Sequence, residues 1–170
     1  MSILNIRSVG DEIGQASTLK MCFASLTKGL TALAVQSFAT ASRMDMLAEL
    51  REEVAAFAPG WVEYLERSLG LVPGKAYRWV TEMENIKDTH RETGFEEDVF
   101  RGVAEVYRFV SEETVLGKGR VWGRSADEVV RDVGGSLKKK RGLEEVEDVE
   151  DSGGNSEKRA RIDGEEVETS

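Results

Sequence analysis

Two lysines lie on one side of a long helical segment near the start of the chain. Lys20 and Lys28 are eight residues apart, close to two helical turns, and Thr27 falls beside them. With Ala24 and Thr31 they form a stripe of small, hydroxyl and cationic side chains. Such a stripe is either an ordinary solvated face or one wall of a cleft in which the ammonium groups bind an anionic ligand. The spacing leaves both interpretations open.

Other residues that could perform acid–base chemistry occur together in one later segment. Glu82, Glu84 and His90, the only histidine, fall within residues 75–93. A carboxylate near a histidine can support proton transfer, but residues two apart do not share a face of a helix. We therefore expect a solvated His90, and the spacing indicates neither a catalytic triad nor a metal site.

The single cysteine limits the chemistry further. One cysteine excludes a disulfide framework and a cysteine-based zinc site within one chain. Because Cys22 falls among apolar residues of the first helical segment, we expect it to be a small, buried core residue.

The element that must position the two lysines is a helix over residues 14–43. The segment contains no proline, and its apolar residues follow the i, i+3, i+4, i+7 spacing of one helical face. At about 1.5 Å per residue it would be roughly 45 Å long, so the rest of the chain should pack along it. The predicted core face comprises Leu19, Cys22, Phe23, Leu26, Leu30, Leu33, Ala34, Phe38 and Ala41.

Further helices follow, separated by proline and glycine. The patterns predict helices over residues 44–57, 61–69, 75–93 and 95–113, then a loop and a weak helix over 116–141, weakened by Gly134 and Gly135. Residues 1–13 form a short β-prone lead. The sequence thus predicts an all-α domain over residues 14–115, a bundle of five to six helices around one long N-terminal helix.

The charge of the chain is concentrated at its end. Residues 142–170 carry a net charge of −8 and the first 141 residues only −1. The tail has few large apolar residues, so we expect it to be disordered. Two basic clusters, Lys138 to Arg141 and Lys158 to Arg161, suit either a nuclear-import signal or a charged tail that aids solubility. We expect a cytoplasmic protein, with a nuclear location through these two clusters as the alternative.

Two short motifs resemble a known family. Residues 16–21 (ASTLKM) and 26–29 (LTKG) are similar to the start of the C-terminal helical domain of 6-phosphogluconate dehydrogenase-like and 3-hydroxyisobutyrate dehydrogenase-like enzymes. The similarity is to the branch named for the NAD-binding C-terminal domain of phosphogluconate dehydrogenase. Residues 82–86 (EMENI), 94–95 (GF) and 104–107 (AEVY) support it, and the resemblance covers about residues 3–112.

The resemblance implies a site and a mechanism. In such enzymes a Rossmann domain binds NAD or NADP, and the helical domain closes the active site and forms a homodimer. A lysine that matches Lys20 acts as general acid/base during hydride transfer. Thr27 and Lys28, in the same stripe, become candidate substrate-binding residues. One turn after the lysine the wider family carries an asparagine that orients the substrate, and this sequence has Ala24 there.

The sequence also departs from a whole enzyme of that family. No GxGxxG phosphate-binding turn occurs in the 170 residues. We therefore expect a substrate and dimerisation domain that is not active alone and binds no dinucleotide tightly. The lead at residues 1–13 would be the remnant of a Rossmann edge.

Two other functions remain open. One is a stand-alone helical interaction module, possessing no enzymatic role and located in the nucleus through its basic clusters. The other is an active enzyme assembled with a separate Rossmann-domain chain. No nucleic-acid partner is expected because the body lacks a concentrated basic face. No membrane contact is expected because no run of about 20 apolar residues occurs.

Overall fold

The computed structural model describes residues 8–119 and 123–141, and for residues 138–141 the backbone alone. Several predictions fall outside these residues. They concern the β-prone residues at 3–6, the acidic tail over 142–170 and the basic cluster from Lys158 to Arg161.

The described chain is all-helical, as the sequence predicts. It contains α1 (Gln15–Arg43), α2 (Leu47–Phe57), α3 (Trp61–Leu69), α4 (Val72–Glu92), α5 (Asp98–Glu113) and α6 (Ala126–Arg141), with a 3₁₀ turn at Val115–Gly117. No strand occurs in residues 8–119 and 123–141. The helix α1 packs against each of the other five, and α4 and α5 form the most extensive helix pair. The expected bundle around a long N-terminal helix is confirmed.

Three helices begin at positions that differ from the sequence prediction. The helices α2 and α5 start three residues later than expected, and α4 starts three residues earlier, at Val72. Pro73 and Gly74, predicted to break the chain, instead form the buried first turn of α4. Proline fits there because the first N–H groups of a helix have no partner within the helix.

The helix α6 is more regular than its two glycines suggest. It runs unbroken over Ala126–Arg141. At its start the Glu128 backbone N–H donates to the Ser125 hydroxyl, and the Ser125 N–H donates to the Glu128 carboxylate, a reciprocal capping box. Val129, Val130 and Val133 are buried. Burial of these three valines against the bundle compensates for the low helix propensity of glycine.

The face of α1 that enters the core is not the one predicted. Leu19, Phe23, Leu26 and Leu33 remain 49–74% exposed, whereas the buried face is made mainly of small residues. Small side chains let neighbouring helices approach the α1 backbone closely, which explains why they face the bundle. Of the predicted core residues Ala34 and Phe38 are buried. The buried face comprises Ala24, Ser25, Gly29, Thr31, Ala32, Ala34, Val35, Phe38 and Ala39.

The prediction of a buried Cys22 is therefore also wrong. Its side chain is exposed on the outward face of α1. The periodicity placed Cys22 with the large apolar residues correctly, but that whole group faces away from the core.

Candidate functional site

An ion pair joins α1 to α4 and forms the centre of the candidate site. The Lys28 ammonium contacts the Glu82 carboxylate, and both side chains are mostly withdrawn from water, at 23% and 33% exposed. The Arg78 guanidinium lies 3.8 Å from the other Glu82 oxygen. One carboxylate thus interacts with two cations from two different helices.

An indole ring lies beneath this pair. The Trp79 side chain is buried, and its ring centroid lies 5.8 Å from the Lys28 Nζ atom and 6.0 Å from the Lys75 Nζ atom. Both distances permit a cation–π interaction, which holds an ammonium group in place without neutralising its charge. Trp79 therefore lies within cation–π distance of two lysines, one from α1 and one from α4.

A tyrosine from α5 fixes the backbone at the same point. The Tyr107 hydroxyl donates a hydrogen bond to the Lys28 carbonyl oxygen. Its ring meets Trp79 edge to face, with 5.1 Å between centroids. Burial raises the pKa of Tyr107, so this phenol stays a neutral donor near neutral pH. Helices α1, α4 and α5 are locked together at Lys28.

We call Lys20, Lys28, Lys75 and Arg78 the cationic cluster. Burial lowers the pKa of Lys28, and repulsion from Arg78, Lys20 and Lys75, in that order, lowers it further. Among the described ion pairs none involves Lys20 or Lys75. Four cations with one carboxylate among them create a local positive potential in a chain whose net charge is −9. Such a surface favours an anionic ligand.

The lowered pKa of Lys28 predicts how stability depends on pH. Folding disfavours the charged form of Lys28, and at neutral pH this lowers the free energy of unfolding. The loss is relieved as pH rises from the folded-state pKa toward the ordinary value of 10.5. Wild type should therefore gain stability relative to Lys28→Met as pH rises through this range.

Urea unfolding of both proteins at several pH values measures this difference. Lys87→Met is the matched control. Lys87 is 18% exposed, but it pairs with Glu84, which raises its pKa. Its removal should cost stability at neutral pH, where that pairing is present, and wild type should lose its advantage as pH rises through the raised pKa. Equal pH profiles for the two variants would contradict the prediction.

The predicted site residues occupy different positions in this arrangement. Lys20 is exposed on the first turns of α1, near enough for its charge to act on Lys28. Thr27 is half-buried and its hydroxyl donates to the Phe23 carbonyl within the helix. The structure brings Lys20 and Lys28 into one cluster, whereas the Thr27 hydroxyl is engaged by its own helix.

Sequence reasoning missed the contribution of α4. Lys75, Arg78, Trp79 and Glu82 follow the i, i+3, i+4, i+7 spacing of one helical face. This spacing is visible in the sequence. It could have indicated that a polar stripe on α4 lies against the polar stripe on α1. Glu82 and Glu84 do lie on different sides, as predicted, since Glu84 pairs with Lys87 and Arg108.

His90 is not solvated as expected. Its ring stacks on Phe100, with centroids 4.9 Å apart and planes 5° from parallel, and meets Phe95 edge to face. Its Nε2 atom is buried, and no hydrogen-bond partner for it occurs among the described residues. The two aromatic rings cover the imidazole in a way that the charged neighbours of His90 in the sequence do not reveal.

The described residues contain neither a metal-binding cluster nor a helix that could span a membrane. No group of three or more His, Cys, Asp or Glu side chains in residues 8–119 and 123–137 is placed to hold a metal ion. In the same part of the chain, no helix combines the length and apolar character needed to cross a bilayer.

A known family model matches the middle of the chain. Residues 41–110 match the family model of a domain of unknown function, DUF1932. DUF1932 is a C-terminal helical domain of the 6-phosphogluconate/hydroxyisobutyrate dehydrogenase-like family. The DUF1932 region contains Lys75, Arg78, Trp79, Glu82 and Tyr107, whereas Lys20 and Lys28 precede it.

A solved structure has the same fold. The crystal structure of a conserved hypothetical protein from Sinorhizobium meliloti 1021 aligns with 79% of this chain at a TM-score of 0.71 and 24% identity. The aligned part is 45% of that protein, so this chain spans less than half of its length. No curated protein matches the chain.

Proposed function

We propose that this chain supplies the substrate-binding and dimerisation half of an NAD(P)-dependent dehydrogenase of the 6-phosphogluconate/3-hydroxyisobutyrate type. The observation that carries the proposal is the cationic cluster, in which Lys28 of α1 shares Glu82 with Arg78 and the Trp79 ring with Lys75, both from α4. The DUF1932 match of residues 41–110 supports the same assignment. The substrate would be an anionic hydroxy acid bound against this cluster.

The residues then have separate roles. Lys28 and Lys75, held over Trp79, bind the anionic group of the substrate. Lys20, exposed at the edge of the cluster, is free to reach a reacting hydroxyl and act as the general acid/base. The Thr27 hydroxyl would contact substrate only if it left its helical acceptor.

The nicotinamide would come from a nucleotide-binding domain outside these helices. When bound, NAD or NADP supplies the hydride acceptor, and the residues described here orient the substrate carbon and move the hydroxyl proton. A Rossmann domain, in the same polypeptide or in a partner chain, would complete the cleft.

Calorimetric titration tests the substrate half of the proposal. We expect 6-phosphogluconate to bind the wild-type chain weakly, and Lys28→Met to reduce its affinity at least about tenfold, a loss of about 1.4 kcal/mol. Lys87→Met, on the far side of α4, should bind as wild type does. Equal affinities in wild type and Lys28→Met would overturn the cluster as the substrate wall.

Titration with NAD and NADP tests the division of labour. We expect no micromolar binding of either dinucleotide to this chain. Micromolar affinity would show a self-sufficient cofactor site and would overturn the assignment of the nucleotide to another domain.

A further inference from the structure

Glu82 is the one carboxylate, among the described residues, that pairs with the cationic cluster. Its two oxygens face different cations. The Oε2 atom contacts the Lys28 ammonium, and the Oε1 atom lies 3.8 Å from the Arg78 guanidinium. An anionic substrate that binds at Lys28 would therefore meet an ammonium group that already has a partner.

Lys28 is the fixed member of this pair. Its backbone carbonyl accepts a hydrogen bond from the Tyr107 hydroxyl, and its ammonium group lies 5.8 Å from the centroid of the buried Trp79 ring. These contacts come from α5 and α4 and do not involve a carboxylate. Lys28 therefore stays in the cluster when its counter-ion is exchanged.

Glu82 is the movable member. Within the described part of the chain, its carboxylate contacts the Lys28 and Arg78 side chains and accepts no hydrogen bond from a backbone N–H or a hydroxyl. The side chain is 33% exposed, so rotation about its torsions carries the carboxylate into water without opening the bundle. Partly exposed ion pairs are weak enough to be exchanged for a ligand.

The cationic cluster needs a counter-ion when no ligand is bound. Burial lowers the pKa of Lys28, and repulsion from the other three cations lowers it further, so the four groups are close enough to act on one another. One negative charge reduces this repulsion, and a bound anion would reduce it in the same way. The Glu82 carboxylate and an anionic ligand are thus alternative occupants of one position.

We propose that Glu82 is an internal counter-ion, which occupies the anion site of the free protein and leaves it when an anionic substrate binds. The inference deepens the proposed function and rests on its assignment of the cationic cluster to the substrate. Displacement weakens the binding of every anion, because the contacts of Glu82 must be broken first. The returning carboxylate favours release, so Glu82 limits affinity while it stabilises the empty site.

Glu84 provides a matched control on the same helix. Its side chain is 34% exposed, and it also pairs with one lysine and one arginine, Lys87 at 2.8 Å and Arg108 at 3.3 Å. It lies on a different side of α4 from the cationic cluster. Arg108 also contacts Glu105, so it keeps a carboxylate partner when Glu84 is neutralised. Glu84→Gln thus removes the same charge as Glu82→Gln without vacating an anion site.

Calorimetric titration with 6-phosphogluconate measures the effect of Glu82 on binding. Glu82→Gln should tighten binding about fivefold relative to wild type, because the ligand no longer displaces a carboxylate. Glu84→Gln should change the affinity by less than about twofold, since solvent and salt screen its distant charge. An affinity of Glu82→Gln that equals or falls below that of wild type would overturn the inference.

A double variant tests whether the gain depends on Lys28. In a Lys28→Met background, Glu82→Gln should tighten binding by less than about twofold, because the main contact to be displaced is already absent. A full fivefold gain in that background would mean that Glu82 acts through the general potential of the surface. That result would overturn displacement at Lys28.

Urea unfolding in the presence of sulfate tests Glu82 without an organic ligand. Glu82→Gln should unfold at lower urea than wild type, because Lys28 loses its counter-ion. Sulfate at about 10 mM should restore this loss by binding to the folded protein, with chloride used to hold ionic strength constant. The rise in the urea midpoint should be at least about twice as large for Glu82→Gln as for wild type or Glu84→Gln. Equal rises in the three proteins would overturn the inference.

The two measurements separate this inference from the proposed function. If neither wild type nor Glu82→Gln binds 6-phosphogluconate but sulfate selectively stabilises Glu82→Gln, the substrate assignment fails and Glu82 remains the occupant of an anion site. If wild type binds 6-phosphogluconate and Glu82→Gln gains nothing in either measurement, the proposed function stands and the inference fails.

Discussion

Replacing Phe38 by alanine is expected to lower the free energy of unfolding by about 3–5 kcal/mol. Phe38 is 1% exposed and lies on the buried face of α1, in the single core that all six helices share. Its removal would forfeit the transfer free energy of the ring and leave a cavity in a closely packed interior. Urea denaturation followed by circular dichroism measures the change.

The control is a second phenylalanine on the same helix. Phe23 is 67% exposed, so Phe23→Ala should change the unfolding free energy by less than about 0.5 kcal/mol. A large loss for Phe23→Ala together with a small one for Phe38→Ala would mean that the predicted, not the observed, face of α1 enters the core.

The two phenylalanines show how much of the fold the spacing of apolar residues predicts. Helix number and most boundaries follow from apolar spacing and from proline and glycine, so the all-α bundle was predictable. The orientation of α1 was not, because this helix carries two apolar faces, one of large residues and one dominated by small ones. Only the shape of the neighbouring helices decides between them. Alanine, serine and glycine allow the closer approach, and the larger residues remain outside.

The candidate site also depends on packing between helices, which the sequence does not reveal. The stripe of Lys20 and Lys28 was visible within α1, but the groups that shape their environment come from α4 and α5. A sequence does not tell which turn of α4 lies beside Lys28, so Trp79 as a platform and Glu82 as a counter-ion emerge only from packing. Lys28, rather than Lys20, is consequently the half-buried lysine.

Trp79 connects stability with the proposed binding site, and its replacement should affect both. Trp79→Ala is expected to cost about 3–5 kcal/mol of stability, because the indole is 6% exposed and packs on Tyr107. The same change removes the ring that supports the Lys28 and Lys75 ammonium groups. Affinity for 6-phosphogluconate should fall at least about tenfold, measured by calorimetry, which corresponds to about 1.4 kcal/mol.

Two milder variants separate these effects. Trp79→Phe and Trp79→Leu both retain an apolar side chain, but only phenylalanine keeps an aromatic face for a cation. If the ring positions the lysines, phenylalanine should preserve most of the affinity and leucine should lose it, at comparable stability. If both bind as wild type does, then the ammonium groups are held by the rest of the bundle, and Trp79 contributes to this protein as a core residue alone.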